Sequence, residues 1–126
     1  MAQPSIAFIG TGNMAGAILE GLIATGYPVE KLWATRRQLD KLSHFADRRI
    51  NTTTDNHLAI NSSDIVVISV KPQMMRDTLT ELAPTLQKRK PLLISIAAGI
   101  SCDSLERWAG GELAVIRSMP NTPGVE

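Results

Sequence analysis

A single cysteine in 126 residues, Cys102, leaves no partner for an internal disulfide, so nothing in the chain calls for an oxidising compartment. Aromatic residues make up only 4%, and the two histidines, His44 and His57, stand apart without a second ligand pair nearby. Neither they, nor Cys102, nor any acidic cluster has the spacing of a metal site. Cys102 reads as a small residue near a helix start rather than a nucleophile. Charge of one sign is also scarce: 13 Lys and Arg stand against 12 Asp and Glu, a net charge of +1, whereas a dedicated nucleic-acid surface carries a clear basic excess. No apolar run approaches membrane-spanning length, and no cationic leader with an apolar core precedes Ile6. These shortages point to a soluble cytoplasmic protein with no metal, nucleic-acid or membrane role. What remains, 44% hydrophobic and 20% charged, suits one globular domain with a real core, in a chain too short for two of ordinary size.

What the chain does have is residues 6–18, IAFIGTGNMAGAI, where an apolar run stops at a glycine pair and helix-forming residues begin at once. This reads as a strand, a tight turn and a helix N-terminus. Gly10, Gly12 and Ala15 fit the pattern G-x-G-x-x-G/A. Gly10 permits the sharp turn out of the strand, Gly12 lets the backbone approach a nucleotide pyrophosphate, and Ala15 lets the helix pack closely on the sheet. The phosphates then meet free backbone N–H groups at the helix start, where the helix dipole also favours negative charge. An ordinary glycine turn would carry the same residues, but the apolar strand before it and the helical pattern over residues 15–23 favour the nucleotide.

Ile18, Leu19, Leu22 and Ile23 fall on one side of that helix, and Gly26 gives it a stop. Residues 31–35, KLWAT, read as a second strand parallel to the first, with the helix as right-handed crossover. At its end such folds usually place an acidic residue on the adenosine ribose of NAD. Here stand Thr35, Arg36 and Arg37, with no carboxylate before Asp40. Two guanidinium groups can grip a phosphate in bidentate fashion, so the expected cofactor is NADP rather than NAD, with Arg36 or Arg37 on the 2′-phosphate and Thr35 assisting. Solvated arginines opening the next helix are the alternative.

Residues 38–45 allow a short helix, residues 50–53 a short edge strand, and residues 55–60 a helical turn capped by Asp55 or Asn56. Residues 64–70, DIVVISV, form an unbroken β-branched run suited to a strand buried on both faces. Lys71-Pro72 ends it and introduces a helix over residues 74–86. Residues 92–96 give another buried strand, Ser101 caps the next helix, and residues 113–117 form the last strand. Each central strand ends in a short loop of small or polar residues. The expected fold is therefore α/β, a Rossmann-type doubly wound, mainly parallel sheet with helices on both faces. The glycine loop and the loops at residues 35–37, 69–73, 97–99 and 119–122 would face one elongated ligand along one sheet edge.

Several stretches together resemble the N-terminal part of the pyrroline-5-carboxylate reductases: FIGTGNMAGAILEGL, the VKP of residues 70–72, SIAAGI of residues 95–100, and RSMPNTP of residues 117–123. The first is common to many dehydrogenases; SIAAGI followed by MPNTP is much more specific, and the resemblance covers nearly the whole chain. It implies hydride transfer from NADPH, or less often NADH, to the C=N bond of 1-pyrroline-5-carboxylate, giving proline. By position it implies that Ile9, Gly10, Thr11, Gly12, Asn13 and Met14 form the pyrophosphate loop. Arg36 would lie beside the adenosine ribose, and Asn56 would make a further nucleotide contact. Ser69, Val70, Lys71 and Pro72, with Ala97 and Ala98, would wall the cofactor, and MPNTP would lie beside the nicotinamide; no residue is assigned the proton transfer. Members of the family continue into an all-helical domain that builds the dimer and much of the substrate pocket. The resemblance thus implies that residues 1–126 are a truncated NADP-binding domain, part of a homo-oligomeric enzyme and not expected to turn over alone. A hydroxyacid or prephenate type of dehydrogenase domain and a non-catalytic NADP-binding module are the alternatives.

Overall fold

The computed structural model describes residues 3–97 and 99–117. Six strands, β1 (Ile6–Ile9), β2 (Leu32–Thr35), β3 (Asn51–Thr53), β4 (Ile65–Ile68), β5 (Leu92–Ser95) and β6 (Val115–Arg117), alternate with the helices. These are α1 (Asn13–Ala24), α2 (Ser43–Ala46), α3 (Asn56–Asn61), α4 (Pro72–Arg89) and α5 (Cys102–Trp108). The strands form one sheet in the order β3-β2-β1-β4-β5-β6, and every pairing is parallel. This is the doubly wound Rossmann arrangement, in which the chain works outward from β1 to one edge and then returns to build the other half.

The register shows why both sheet faces need cover. Phe8 pairs with Val67, and Val67 with Ile94, while Ala7, Val66 and Leu93 form the row that points the other way. The first row packs under α1 and α2 with Ala15, Leu19, Leu42 and Phe45. The second packs against α3, α4 and α5 with Ile60, Leu79, Leu82 and Leu105. Strands buried on both faces are continuous apolar runs, as IAFI and IVVI are. Along α1, Leu19 is fully buried and Leu22 and Ile23 are partly covered, whereas Ile18, expected on the same side, is exposed. The helix ends at Thr25, with Gly26 beyond it at φ +89°, a conformation that suits glycine.

Several boundaries differ from the sequence expectation. β4 stops at Ile68, one residue after which the Ser69 N–H makes the last ladder bond to the Ile9 carbonyl at 3.0 Å and the Ser69 hydroxyl donates to the same carbonyl at 2.9 Å. α4 starts at Pro72 and runs to Arg89, with Pro84 inside it. Pro84 lies on the exposed face, as does Thr80, whose carbonyl loses its N–H partner there and stays open to solvent. Lys90 closes the helix at φ +54°, its N–H on the Leu86 carbonyl. The helix expected over residues 38–45 is a 3₁₀ turn, Leu39–Leu42, running into the single turn of α2. β6 begins at Val115, and Leu113 is buried outside the strand in the core on the α5 side. Among the described residues, no helix is long and apolar enough to cross a membrane.

Candidate functional site

β1 and β4 lie side by side, but α1 leaves β1 for one face of the sheet and α4 leaves β4 for the other. A crevice must open between their starts, at the carboxyl ends of the strands. The glycine loop sits in it. Gly10 has φ +77°, and a Cβ there would meet Val70 Cγ1 at 2.6 Å. Its N–H donates to Thr35 Oγ1 at 3.2 Å. Thr11 is pinned on three sides: its N–H donates to the Thr35 carbonyl at 2.8 Å, its hydroxyl to the Phe8 carbonyl at 3.0 Å, and its own carbonyl accepts from Arg36 Nη1 at 3.2 Å. The loop is braced by β2 before any ligand arrives.

Gly12 is different. Its φ of −106° and ψ of −152° are open to any residue, and a Cβ built on it would meet nothing within 4 Å. It is the N-cap of α1, with no side-chain cap and no acidic residue in the first turn. The first intrahelical bond is Gly16 N–H to the Gly12 carbonyl at 2.8 Å, so the N–H groups of Asn13, Met14 and Ala15 have no acceptor among the described residues. Free donors at a helix start, with open space before them, fit an anion such as a pyrophosphate.

Around this point lies a cleft of about 660 Å³. It brings together Ile9, Gly10, Thr11, Gly12, Thr35, Arg36, Arg37, Asn56, Ser69, Val70 and Lys71, so three of the five loops expected to share one ligand meet here with Asn56, while the described residues of 97–99 do not reach it. Asn13 lines a smaller cavity of about 300 Å³ alongside, with Arg36 on the boundary of both. Met14, Pro72 and Ala97 line neither cavity. Met14 is about half exposed beside the loop and Ala97 is nearly buried, while Pro72 is the first residue of α4. Ala98 and the MPNTP run lie outside the described residues.

Thr35, expected to assist a phosphate, is fully buried and its hydroxyl holds the Gly10 N–H instead. The choice of cap for α3 is also settled: Asp55 Oδ1 accepts from the N–H groups of His57 and Leu58 at 3.0 and 3.2 Å. That leaves the side chain of Asn56 to the cleft. Sequence reasoning missed Gln38, Thr54, Met74, Thr78 and Glu81 on the larger cleft. Met74, Thr78 and Glu81 recur at i, i+4 and i+7, one stripe of α4, and extending that helix's pattern toward the phosphate loop would have found them. Among the described residues, no group of three His, Cys, Asp or Glu side chains could hold a metal ion.

Known proteins share this fold. Over 126 residues the chain is 44% identical to the pyrroline-5-carboxylate reductase of Pseudomonas aeruginosa, covering 99% of this chain and 46% of that protein. The solved structure of a pyrroline-5-carboxylate reductase from Coxiella burnetii matches with a TM-score of 0.89 at 41% identity, over 95% of this chain and 45% of that one. That of the Plasmodium falciparum pyrroline carboxylate reductase with NADP bound gives 0.81 at 28%, over 98% and 44%. The chain spans about half the length of the curated relatives it matches. The resemblance to the N-terminal, nucleotide-binding part of these reductases therefore holds. Residues 5–99, from β1 through β5 with the braced glycine loop among them, match a described protein family, and the chain belongs to it: NADP oxidoreductase coenzyme F420-dependent.

Proposed function

We propose that residues 1–126 form the NADP-binding domain of a pyrroline-5-carboxylate reductase, a homo-oligomeric cytoplasmic enzyme whose helical domain supplies much of the substrate pocket. The observation that carries this reading is the uncapped start of α1, with open space at Gly12, next to two arginines and no carboxylate at the end of β2. Gly12 and the N–H groups of residues 13–15 hold the pyrophosphate. Arg36 and Arg37 hold the adenosine end, and Asn56 contacts the nucleotide from the start of α3. Val70 and Lys71 wall the cleft on the β4 side, where Ser69 holds the two central strands at a fixed separation. When bound, the reduced nicotinamide supplies hydride to the imine carbon of 1-pyrroline-5-carboxylate. The bound structure of the Plasmodium falciparum relative supports NADP as the cofactor, with NAD the weaker alternative.

The test is a side-by-side titration of the chain with NADPH and NADH, followed by tryptophan fluorescence, to which Trp33, two residues before Thr35 on β2, contributes. Tighter binding of NADPH is expected. A folded chain that binds neither nucleotide overturns the reading, and one that prefers NADH overturns the roles given to Arg36 and Arg37.

A further inference from the structure

We propose that Arg117, at the end of β6, is a positioning residue for the nicotinamide end of the cofactor and acts through the turn between β5 and α5; this rests on the nucleotide reading above. The described residues of that turn are held at both ends. At its entry the Ile96 N–H donates to the Ile68 carbonyl at 3.3 Å, and the Ala97 N–H donates to Oγ of the fully buried Ser95 at 3.2 Å. At its exit Ile100 buries its side chain in the core with Leu105, and Ser101 Oγ caps α5 by accepting from the Ser104 N–H at 3.1 Å. Between them Gly99 stands at φ +82°, a conformation open to glycine and costly for other residues.

One side-chain bond ties this turn to the next strand. Arg117 Nη1 donates to the Ile100 carbonyl at 3.3 Å, across seventeen residues. That carbonyl precedes the N-cap of α5 and so stands outside the helix's own ladder. The register explains how the guanidinium arrives, since Ser95 and Arg117 are partners in the parallel pairing of β5 and β6, and partners send their side chains to the same face. It is the face of α5, because Leu93 and Val115, each two residues earlier, pack into the core on that side. Arg117 is otherwise exposed to solvent, so the core does not depend on it, while its bond to the turn is charge-assisted.

The order of the strands decides which end of a dinucleotide meets this turn. A pyrophosphate at the start of α1 sits at the end of β1, and the adenosine lies toward β2, against Arg36 and Arg37. The other nucleoside then extends across β4 toward β5, which stands two strands from β1, about 10 Å away. Ser69, Val70 and Lys71 wall the larger cleft on the β4 side, and the turn after β5 comes next along the same edge. A slack turn there costs the nicotinamide its support and leaves the adenosine half untouched.

The dissociation constants of NADPH and of adenosine 2′,5′-bisphosphate, which keeps the adenosine end and lacks the nicotinamide, are measured for the parent chain, Arg117→Gln, Arg117→Lys and Gly99→Ala. Arg107→Gln, at an exposed arginine in the last turn of α5, controls for lost charge. Arg117→Gln is expected to weaken NADPH about fivefold and the bisphosphate less than about twofold, as for loss of one charge-assisted bond. Arg117→Lys should recover part of that loss, because one N–H donor suffices for one carbonyl. Gly99→Ala strains the same turn at a second site, with nothing within 4 Å of the added Cβ, and should show the same selective loss. Unchanged NADPH affinity in Arg117→Gln overturns the proposal, and so does equal loss of both ligands, which marks a loosened fold. An effect of Arg107→Gln as large as that of Arg117→Gln, or a parent that binds NADPH no more tightly than the bisphosphate, overturns it as well. A parent that binds neither ligand overturns the nucleotide reading, and this proposal with it.

Discussion

Alanine at Gly10 and alanine at Gly12 should fail in different assays, although the two glycines are two residues apart in one motif. At Gly10 the backbone sits at φ +77°, and the added methyl would lie 2.6 Å from Val70 Cγ1. The left-handed conformation costs an L-residue about 1–2 kcal/mol, and crowding a packed site costs about 1–3 kcal/mol, toward the low end where one side chain can rotate away. Val70 backbone atoms are at ordinary contact, 3.5 and 3.6 Å, so rotation of the valine can relieve part of the clash. We expect Gly10→Ala to destabilise by about 2–3 kcal/mol. For 126 residues the unfolding entropy is roughly 0.26 kcal/mol/K, so Tm should fall by about 8–12 °C. Gly12→Ala meets nothing within 4 Å at an unstrained φ, and the exchange at an uncapped N-cap costs less than about 1 kcal/mol. Its methyl instead occupies the space before the free N–H groups of α1, and NADPH should bind about tenfold or more weakly, a loss of roughly 1.4 kcal/mol per factor of ten. Thermal unfolding by circular dichroism and NADPH titration are run on both variants. A Gly10→Ala chain that melts within a degree of the parent would refute the strain argument, and a Gly12→Ala chain with parental affinity would refute the phosphate position.

Thr35→Val keeps the shape of a fully buried side chain but takes the acceptor from the Gly10 N–H; a loss of about 1–3 kcal/mol in denaturant unfolding is expected, with weaker binding of NADPH and NADH alike because the loop loosens. Arg36→Ala should weaken NADPH several-fold more than NADH, since only the former loses charge-assisted bonds; equal losses in the same titration would confine Arg36 to its contact with Thr11. Tyr27, whose hydroxyl donates to the Pro4 carbonyl, has its pKa raised above the ordinary 10.0 by burial and then by the nearby Asp64 carboxylate. The folded chain holds this proton more tightly than the unfolded one, so the contribution is fully present below pH 10 and is lost as the pH rises through the folded value. Urea unfolding between pH 9 and about 11 should show stability falling more steeply for the parent than for Tyr27→Phe; parallel curves would rule the linkage out.

Local chemistry determined much of this protein directly from the sequence. The glycine turn, the apolar runs of β1 and β4, and the stop at Gly26 are decided by φ preferences and periodicity within a few residues, so each was legible without tertiary structure. So was the meeting of the glycine loop with residues 35–37 and 69–71 along one edge, because right-handed crossovers leave a parallel sheet little choice. Element ends were less legible. The Ser69 hydroxyl at the end of β4 settles on a carbonyl sixty residues earlier, and Pro84 lies inside α4 on its exposed face. The assignment of individual polar groups needed the fold altogether. Asp55 and Asn56 are equally good caps on paper, and the backbone geometry at the start of α3 chose Asp55. Thr35 is adjacent to two arginines in sequence, yet pairing of β2 with β1 turns its hydroxyl onto Gly10, twenty-five residues away. The smaller cavity beside α1 is walled by Leu42 and Phe45, which bury themselves against the α1 face of the sheet. Residue type and spacing carry conformational preference, whereas a hydrogen-bond partner or a cavity wall is supplied by distant chain, and only the packed sheet decides which distant chain arrives.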